Sequence, residues 1–88
     1  MRIIDCYNIL LQAELVKAAK IIDEGNSEVS DLEYNSRKAS EGTLFFCKGE
    51  NFKSEYLIEA VDKGSICYVA ENIIKGGSAH KPSVIIVK

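Results

Sequence analysis

Two segments of the chain carry apolar residues at helical spacing. In the first dozen residues the apolar positions are Ile3, Ile4, Tyr7, Leu10 and Leu11. In the second segment they are Phe52, Tyr56, Leu57, Ala60 and Val61. Polar residues lie on the opposite side of each segment, so the pattern predicts two amphipathic helices. The second helix should end near Lys63 and Gly64, because a basic last turn followed by glycine is a common helix stop.

Five shorter segments favour β-strands, and they are residues 15–22, 31–35, 43–47, 66–70 and 83–87. Segment 15–22 is ambiguous, since its alanines favour helix, but the turn that follows it indicates a short strand. Apolar and polar residues alternate in 31–35, which predicts one buried face carrying Leu32 and Tyr34, with Ser36 continuing that face. Segment 43–47 is almost wholly apolar, so we expect it to be buried on both faces in the middle of a sheet.

The order strand, helix, strand over residues 43–70 predicts parallel pairing with a right-handed crossover. We therefore expect one α/β domain over residues 1–88, with a small mixed, largely parallel sheet and two main helices. The last strand runs directly to Lys88 with no helix after it. This ending suggests the cut edge of a larger protein. The alternative is a free-standing interaction module, which would use an exposed sheet flank after Val87 to pair with another chain.

Composition narrows the class of protein. The chain has 47% apolar and 27% charged residues and a net charge of −2, which fits a folded domain and disfavours binding to nucleic acid. No apolar run approaches the roughly 18 residues of a membrane span, so we expect a cytoplasmic protein with no membrane or nucleic-acid partner. Cys6, Cys47 and Cys67 are widely spaced, which argues against zinc, and free cysteines in apolar strands are usually core residues.

A catalytic set is not found in the sequence. The phosphate-binding pattern Gly-x4-Gly-Lys-Ser/Thr is absent, and the single histidine, His80, lies beside Lys81 and Pro82 in a polar connection. The carboxylates are scattered over predicted solvent faces, so no general acid and base pair can be nominated. We expect no catalytic residue, metal site or cofactor site in this chain.

The candidate site is the segment 34–49, in which polar residues precede a buried strand with a glycine near each end. Ser36 and Arg37 have the chemistry to hold a phosphate or a sugar hydroxyl, while Tyr34 or Phe52 could stack on a planar ring. The alternative is that both aromatic residues belong to the core and Asn35 with its neighbours merely turns the chain. The residue types leave these two interpretations open.

An ordered set of motifs extends through this part of the chain. It comprises Asn35-Ser36-Arg37-Lys38, Glu41-Gly42-Thr43-Leu44-Phe45-Phe46, Lys48-Gly49, Glu55-Tyr56-Leu57, Glu59-Ala60 and Lys63-Gly64. The set resembles the N-terminal domain of the Mur ligases, and within that family the ligases that add the third amino acid of the peptidoglycan stem peptide. The similarity extends over residues 32–70. Two departures are Asn35 where the family usually has Asp, and Asn51-Phe52-Lys53-Ser54-Glu55 where an Asp-Gly-His motif is common.

The resemblance implies that this domain holds the uridine diphosphate (UDP) end of UDP-N-acetylmuramoyl-dipeptide. The residues it implies for UDP binding are Tyr34, Asn35, Ser36, Glu50, Asn51 and Phe52. ATP and Mg²⁺ would belong to the central and C-terminal domains of a longer ligase, which would be the domain partners of this chain. The ligase that adds the terminal dipeptide and a free-standing interaction module remain alternatives. Arg37, opposite Ser36 by the strand period, is expected to support the loop rather than bind phosphate.

Overall fold

The described part of the chain, residues 1–47, 52–72 and 82–88 of the computed structural model, forms two α-helices and one five-stranded sheet. The helices are α1, Ile3–Gln12, and α2, Ser54–Asp62. The strands are β1, Val16–Lys20, β2, Asp31–Glu33, β3, Thr43–Phe46, β4, Cys67–Ala70, and β5, Ser83–Val87. Their order in the sheet is β1-β5-β4-β3-β2, and only the pair of β1 with β5 is antiparallel. The predicted α/β fold with a mixed, largely parallel sheet is confirmed.

Successive side chains of the central strands point to opposite faces of the sheet, so each face has its own core. The core beneath α1 contains Ile3, Cys6, Val29, Leu44, Cys67, Val69 and Ile85. The core beneath α2 contains Ala39, Phe45, Leu57, Ala60, Val61, Tyr68 and Ala70. Strand β3 contributes Leu44 to one and Phe45 to the other, and both are almost fully buried. The prediction of a strand buried on both faces is confirmed, because a helix covers each side.

The strand, helix, strand unit is confirmed, and a glycine corner fixes its geometry. Strand β3 pairs in parallel with β4 after the crossover through α2. The helix is followed by Gly64 at φ 111°, where a β-carbon would lie only 2.6 Å from the Cα of Glu41. The Gly42 N–H donates to the Gly64 carbonyl at 2.9 Å. The end of α2 therefore packs directly against the turn that leads into β3.

The expectation of a free sheet flank after Val87 is wrong. Strand β5 lies inside the sheet, because β1 pairs with it in antiparallel register from Val16 opposite Val87 to Lys20 opposite Val84. The ambiguous segment 15–22 thus contains a strand, as predicted, and this strand covers the flank of β5. Within the described residues the sheet edges are β1 and β2.

Two details of burial differ from the sequence pattern. The side chain of Leu11 is exposed on α1, whereas Cys6 belongs to the core. Leu32 and Tyr34 are 55% and 79% exposed, so the predicted buried face of the second strand is wrong. The reason is position, because β2 is a three-residue edge strand with a neighbour on one side only. Across the described ranges, neither helix has the length and apolar character that crossing a bilayer requires.

Candidate functional site

A cleft of about 530 Å³ lies between the turn after β2 and the outer face of α2. The residues that line it are Tyr34, Asn35, Ser36, Arg37, Glu55, Tyr56 and Glu59. Four of them follow the carboxyl end of β2, and three belong to α2. Open α/β sheets commonly bind ligands beyond the carboxyl ends of their strands. The position therefore matches that of a binding site.

The turn after β2 is a short 3₁₀ segment, Ser36–Lys38, held by hydrogen bonds at both ends. The Asn35 side chain caps it, since Oδ1 accepts the Arg37 N–H at 3.0 Å. At the other end Lys63 Nζ donates to the Arg37 carbonyl at 3.0 Å and so ties the turn to the end of α2. An aspartate would cap the turn through the same kind of oxygen. The replacement of Asp by Asn35 therefore keeps the cap while removing a negative charge.

Ser36 is the most buried polar side chain of the cleft, with 7% of its surface exposed. Its hydroxyl donates a hydrogen bond to Oε1 of Glu59 at 2.5 Å. A serine hydroxyl has one donor and two acceptor lone pairs, so this bond uses the donor and leaves acceptor capacity. The bond also links the turn to α2 across 23 residues of sequence.

The aromatic residues divide between the cleft and the core. Tyr34 is 79% exposed and Tyr56 is 40% exposed, and both line the cleft. Tyr34 is therefore not a core residue. Phe52 instead packs against Phe45 and Tyr56, with ring centroids 6.5 Å and 6.1 Å apart. The structure thus gives Phe52 a place at the edge of the core rather than in the cleft wall.

The structure brings together three of the six residues predicted for UDP binding, namely Tyr34, Asn35 and Ser36. The predicted residues Glu50 and Asn51 lie outside the described residues. The strand period was expected to place Arg37 opposite Ser36, and this separation is wrong. Strand β2 ends at Glu33 and the chain turns, so that the side chains of Tyr34, Ser36 and Arg37 all line one cleft.

Sequence reasoning missed the three cleft residues of α2. Glu55 and Glu59 are one helical turn apart and therefore share a face, with Tyr56 beside them. The helical period places these residues on one face of α2. Only the packing of α2 against the turn after β2 shows that this face lines the cleft. Among the lining residues that the structure describes, Glu55 and Glu59 are acidic and Arg37 is basic.

The thiols of Cys47 and Cys67 indicate a structural role for these two residues. Burial raises the pKa of Cys47 and of Cys67 to about 12, which keeps both thiols protonated near neutral pH. Cys67 is fully buried in the core, as predicted from its strand. In the ranges 1–47, 52–72 and 82–88, no group of three His, Cys, Asp or Glu side chains is placed to hold a metal ion.

Comparison with known proteins gives several curated relatives. The chain is 42% identical over 66 residues to a UDP-N-acetylmuramyl-tripeptide synthetase of Lacticaseibacillus paracasei, a match covering 75% of this chain and 13% of the relative. A protein of the same name from Latilactobacillus sakei is 35% identical over 80 residues, which cover 91% of this chain and 15% of the relative. The UDP-N-acetylmuramoyl-L-alanyl-D-glutamate–L-lysine ligase of Streptococcus pneumoniae is 44% identical over 59 residues, covering 59% of this chain and 12% of the ligase. No protein-family model matches the chain.

The chain thus spans about one-seventh of the length of the curated relatives that it matches. Such coverage is what one domain of a longer protein gives, and the aligned segment takes up most of the chain. By sequence the chain is a homologue of a short part of these Mur ligases.

Proposed function

We propose that this chain is the substrate-binding N-terminal domain of an ATP-dependent Mur ligase and that it binds the UDP end of UDP-N-acetylmuramoyl-dipeptide. The observation that carries the proposal is the cleft beside β2, where Tyr34 and Ser36 meet the outer face of α2. The relatives' names support the substrate, since they describe synthetases and ligases of UDP-N-acetylmuramyl peptides.

The cleft offers separate groups for the parts of a nucleotide. Tyr34 and Tyr56 are exposed aromatic residues in its wall, and either can stack on a planar base. We assign the diphosphate to the neighbourhood of Arg37, because its guanidinium is the cationic group among the described lining residues. Ser36 and Glu59 then remain for the polar groups of the nucleoside.

Binding at this cleft would assist chemistry that takes place elsewhere. Holding one end of a long substrate restricts the other end, so the entropy cost of positioning the reacting carboxylate is met before the reaction. This role requires no catalytic group in the chain. We place ATP and Mg²⁺, which activate the carboxylate in such ligases, in the remainder of a longer protein, and the cytoplasm is the compartment we propose for it.

Titration with UDP tests the proposal. We expect the backbone amide resonances of Ser36 and Tyr34 to shift in saturable fashion as UDP is added up to about 5 mM, a range that detects dissociation constants near 1 mM. Ser36→Ala should weaken the binding. Ser30→Ala is the matched control, because that hydroxyl lies at the opposite end of β2 and bonds to the Glu41 carbonyl. Absence of any shift at about 5 mM UDP would refute UDP binding by this chain.

The amino acid that the ligase adds is a separate question. Both the tripeptide synthetase names and the L-lysine ligase name favour addition of the third residue of the stem peptide over addition of the terminal dipeptide. Reading the gene downstream of the codon for Lys88 tests this choice and the ligase assignment together. A Gly-Lys-Thr or Gly-Lys-Ser phosphate loop is expected there, and a stop codon in the natural gene would favour a free-standing module instead.

A further inference from the structure

A hydrogen bond joins Ser36 and Glu59, two residues of the cleft wall. The Ser36 hydroxyl donates its proton to Glu59 Oε1 at 2.5 Å, and only 7% of the serine surface is exposed. The proton of the hydroxyl is therefore committed to a protein partner. The serine oxygen can interact with a ligand only as a hydrogen-bond acceptor.

The carboxylate of Glu59 has the same character. An ionised carboxylate accepts hydrogen bonds and donates none, so the second oxygen of Glu59, Oε2, is an acceptor as well. Phosphate oxygens are also acceptors and carry negative charge, and they match neither the committed serine nor this carboxylate. A sugar hydroxyl or an imide N–H is a donor and matches both.

We propose that Glu59 is a positioning and selectivity residue, which fixes the Ser36 hydroxyl as an acceptor and makes this part of the cleft bind a hydrogen-bond donor of the nucleoside. The donor is a ribose hydroxyl or the imide N–H of uracil, and phosphate is excluded from this position. The inference rests on the proposed function, because it concerns how the same cleft selects UDP.

Two UDP analogues test the inference on the unchanged chain. In 2′,3′-dideoxy-UDP the ribose donors are absent, and in 3-methyl-UDP the imide donor is replaced by a methyl group. Loss of a hydrogen bond to a charged or charge-polarised acceptor weakens binding by about 10- to 100-fold. We expect one analogue to lose affinity by this factor relative to UDP, and the analogue that does so identifies the donor. Equal affinity for UDP and both analogues overturns the inference.

Two substitutions that remove the same charge separate the effect of the hydrogen bond on affinity from the effect of the charge. Glu59→Gln and Glu55→Gln each remove one negative charge from the cleft wall and keep the side-chain length. Reduced repulsion of the diphosphate by itself leaves the affinity unchanged or raises it up to about fivefold at an exposed site, and we expect this of Glu55→Gln. Glu59→Gln also exchanges the carboxylate for an amide, which can still accept the Ser36 proton through its oxygen but presents an N–H donor where Oε2 accepted. We therefore expect UDP to bind about 10-fold or more weakly.

The decisive measurement is the ratio of two affinities, that for UDP and that for the analogue that binds more weakly. If Glu59 had only a structural role, its substitution would not change this ratio. We expect Glu59→Gln to reduce this ratio to near one, while Glu55→Gln retains it at equal thermal stability. If the chain binds UDP and Glu59→Gln preserves both the affinity and the ratio, the inference is wrong and the proposed function stands. If the unchanged chain binds no UDP, the proposed function fails, and this inference fails with it.

Discussion

The hydroxyl of Thr43 holds the first residue of β3 to the neighbouring edge strand. Thr43 is fully buried, and its Oγ1 donates to Asp31 Oδ1 at 2.7 Å while accepting the Ser40 N–H at 3.0 Å. Asp31 is the residue opposite Thr43 in the parallel register of β2 and β3. Thr43→Val keeps the shape of the side chain and removes both hydrogen bonds.

The expected loss in the free energy of unfolding follows from the hydrogen bonds that the substitution removes. The Thr43 hydroxyl itself is fully buried, and the substitution removes its partly buried bonds to the Asp31 carboxylate and to the Ser40 N–H. A hydrogen bond contributes about 0.5–1.5 kcal/mol, so the loss of two should lower the free energy of unfolding by about 2 kcal/mol. In a domain of this length this lowers the melting temperature by roughly 8–16 °C.

Urea denaturation followed by circular dichroism measures the effect, with an unchanged slope against urea as evidence of a comparable unfolding transition. Thr43→Ser is the matched control, because it keeps the hydroxyl and loses one buried methyl group, at a cost of about 1 kcal/mol. A loss in Thr43→Val smaller than that in Thr43→Ser, or within about 0.5 kcal/mol of the unchanged chain, would refute the reasoning.

Three further predictions concern the corner, the cleft and the thiols. Gly64→Ala should destabilise the chain by about 2–3 kcal/mol in the same urea assay, since the new β-carbon meets the Glu41 backbone at a left-handed φ; an unchanged midpoint would contradict this. Tyr34→Ala should leave the melting temperature unchanged but weaken UDP binding roughly tenfold, as measured by calorimetry; unchanged affinity would exclude stacking on this ring. The unfolded chain releases the protons of Cys47 and Cys67 near pH 9, whereas the folded chain retains them to about 12, so the free energy of unfolding should fall as the pH rises above 9. Denaturation curves from pH 8 to 10.5 measure this slope, which should be shallower in Cys47→Ala; an equal slope would contradict the assignment.

Only part of the candidate site could be predicted from the sequence. The polar residues from Tyr34 to Ser36 lie next to each other in the chain, so their composition was enough to nominate them. Glu59 lies 23 residues beyond Ser36, and on helical period it is simply an exposed position of α2. Only the packing of α2 on the sheet brings the two together. Phe52 is close to the site in sequence, and the structure shows it packed against Phe45 and against Tyr56 of the cleft wall.

The sequence by itself determined the elements with a strong local signal. The periodicity of α1 and α2, the apolar run of β3 and the glycine after α2 act within a few residues, and each gave the correct element. The tertiary structure alone decided which strand lies at an edge and which helix face meets the turn. Strand β5 is buried because β1, distant in sequence, pairs with it, and Leu32 is exposed because β2 has one neighbour. Burial depends on such non-local pairing, which the local pattern of apolar residues does not specify.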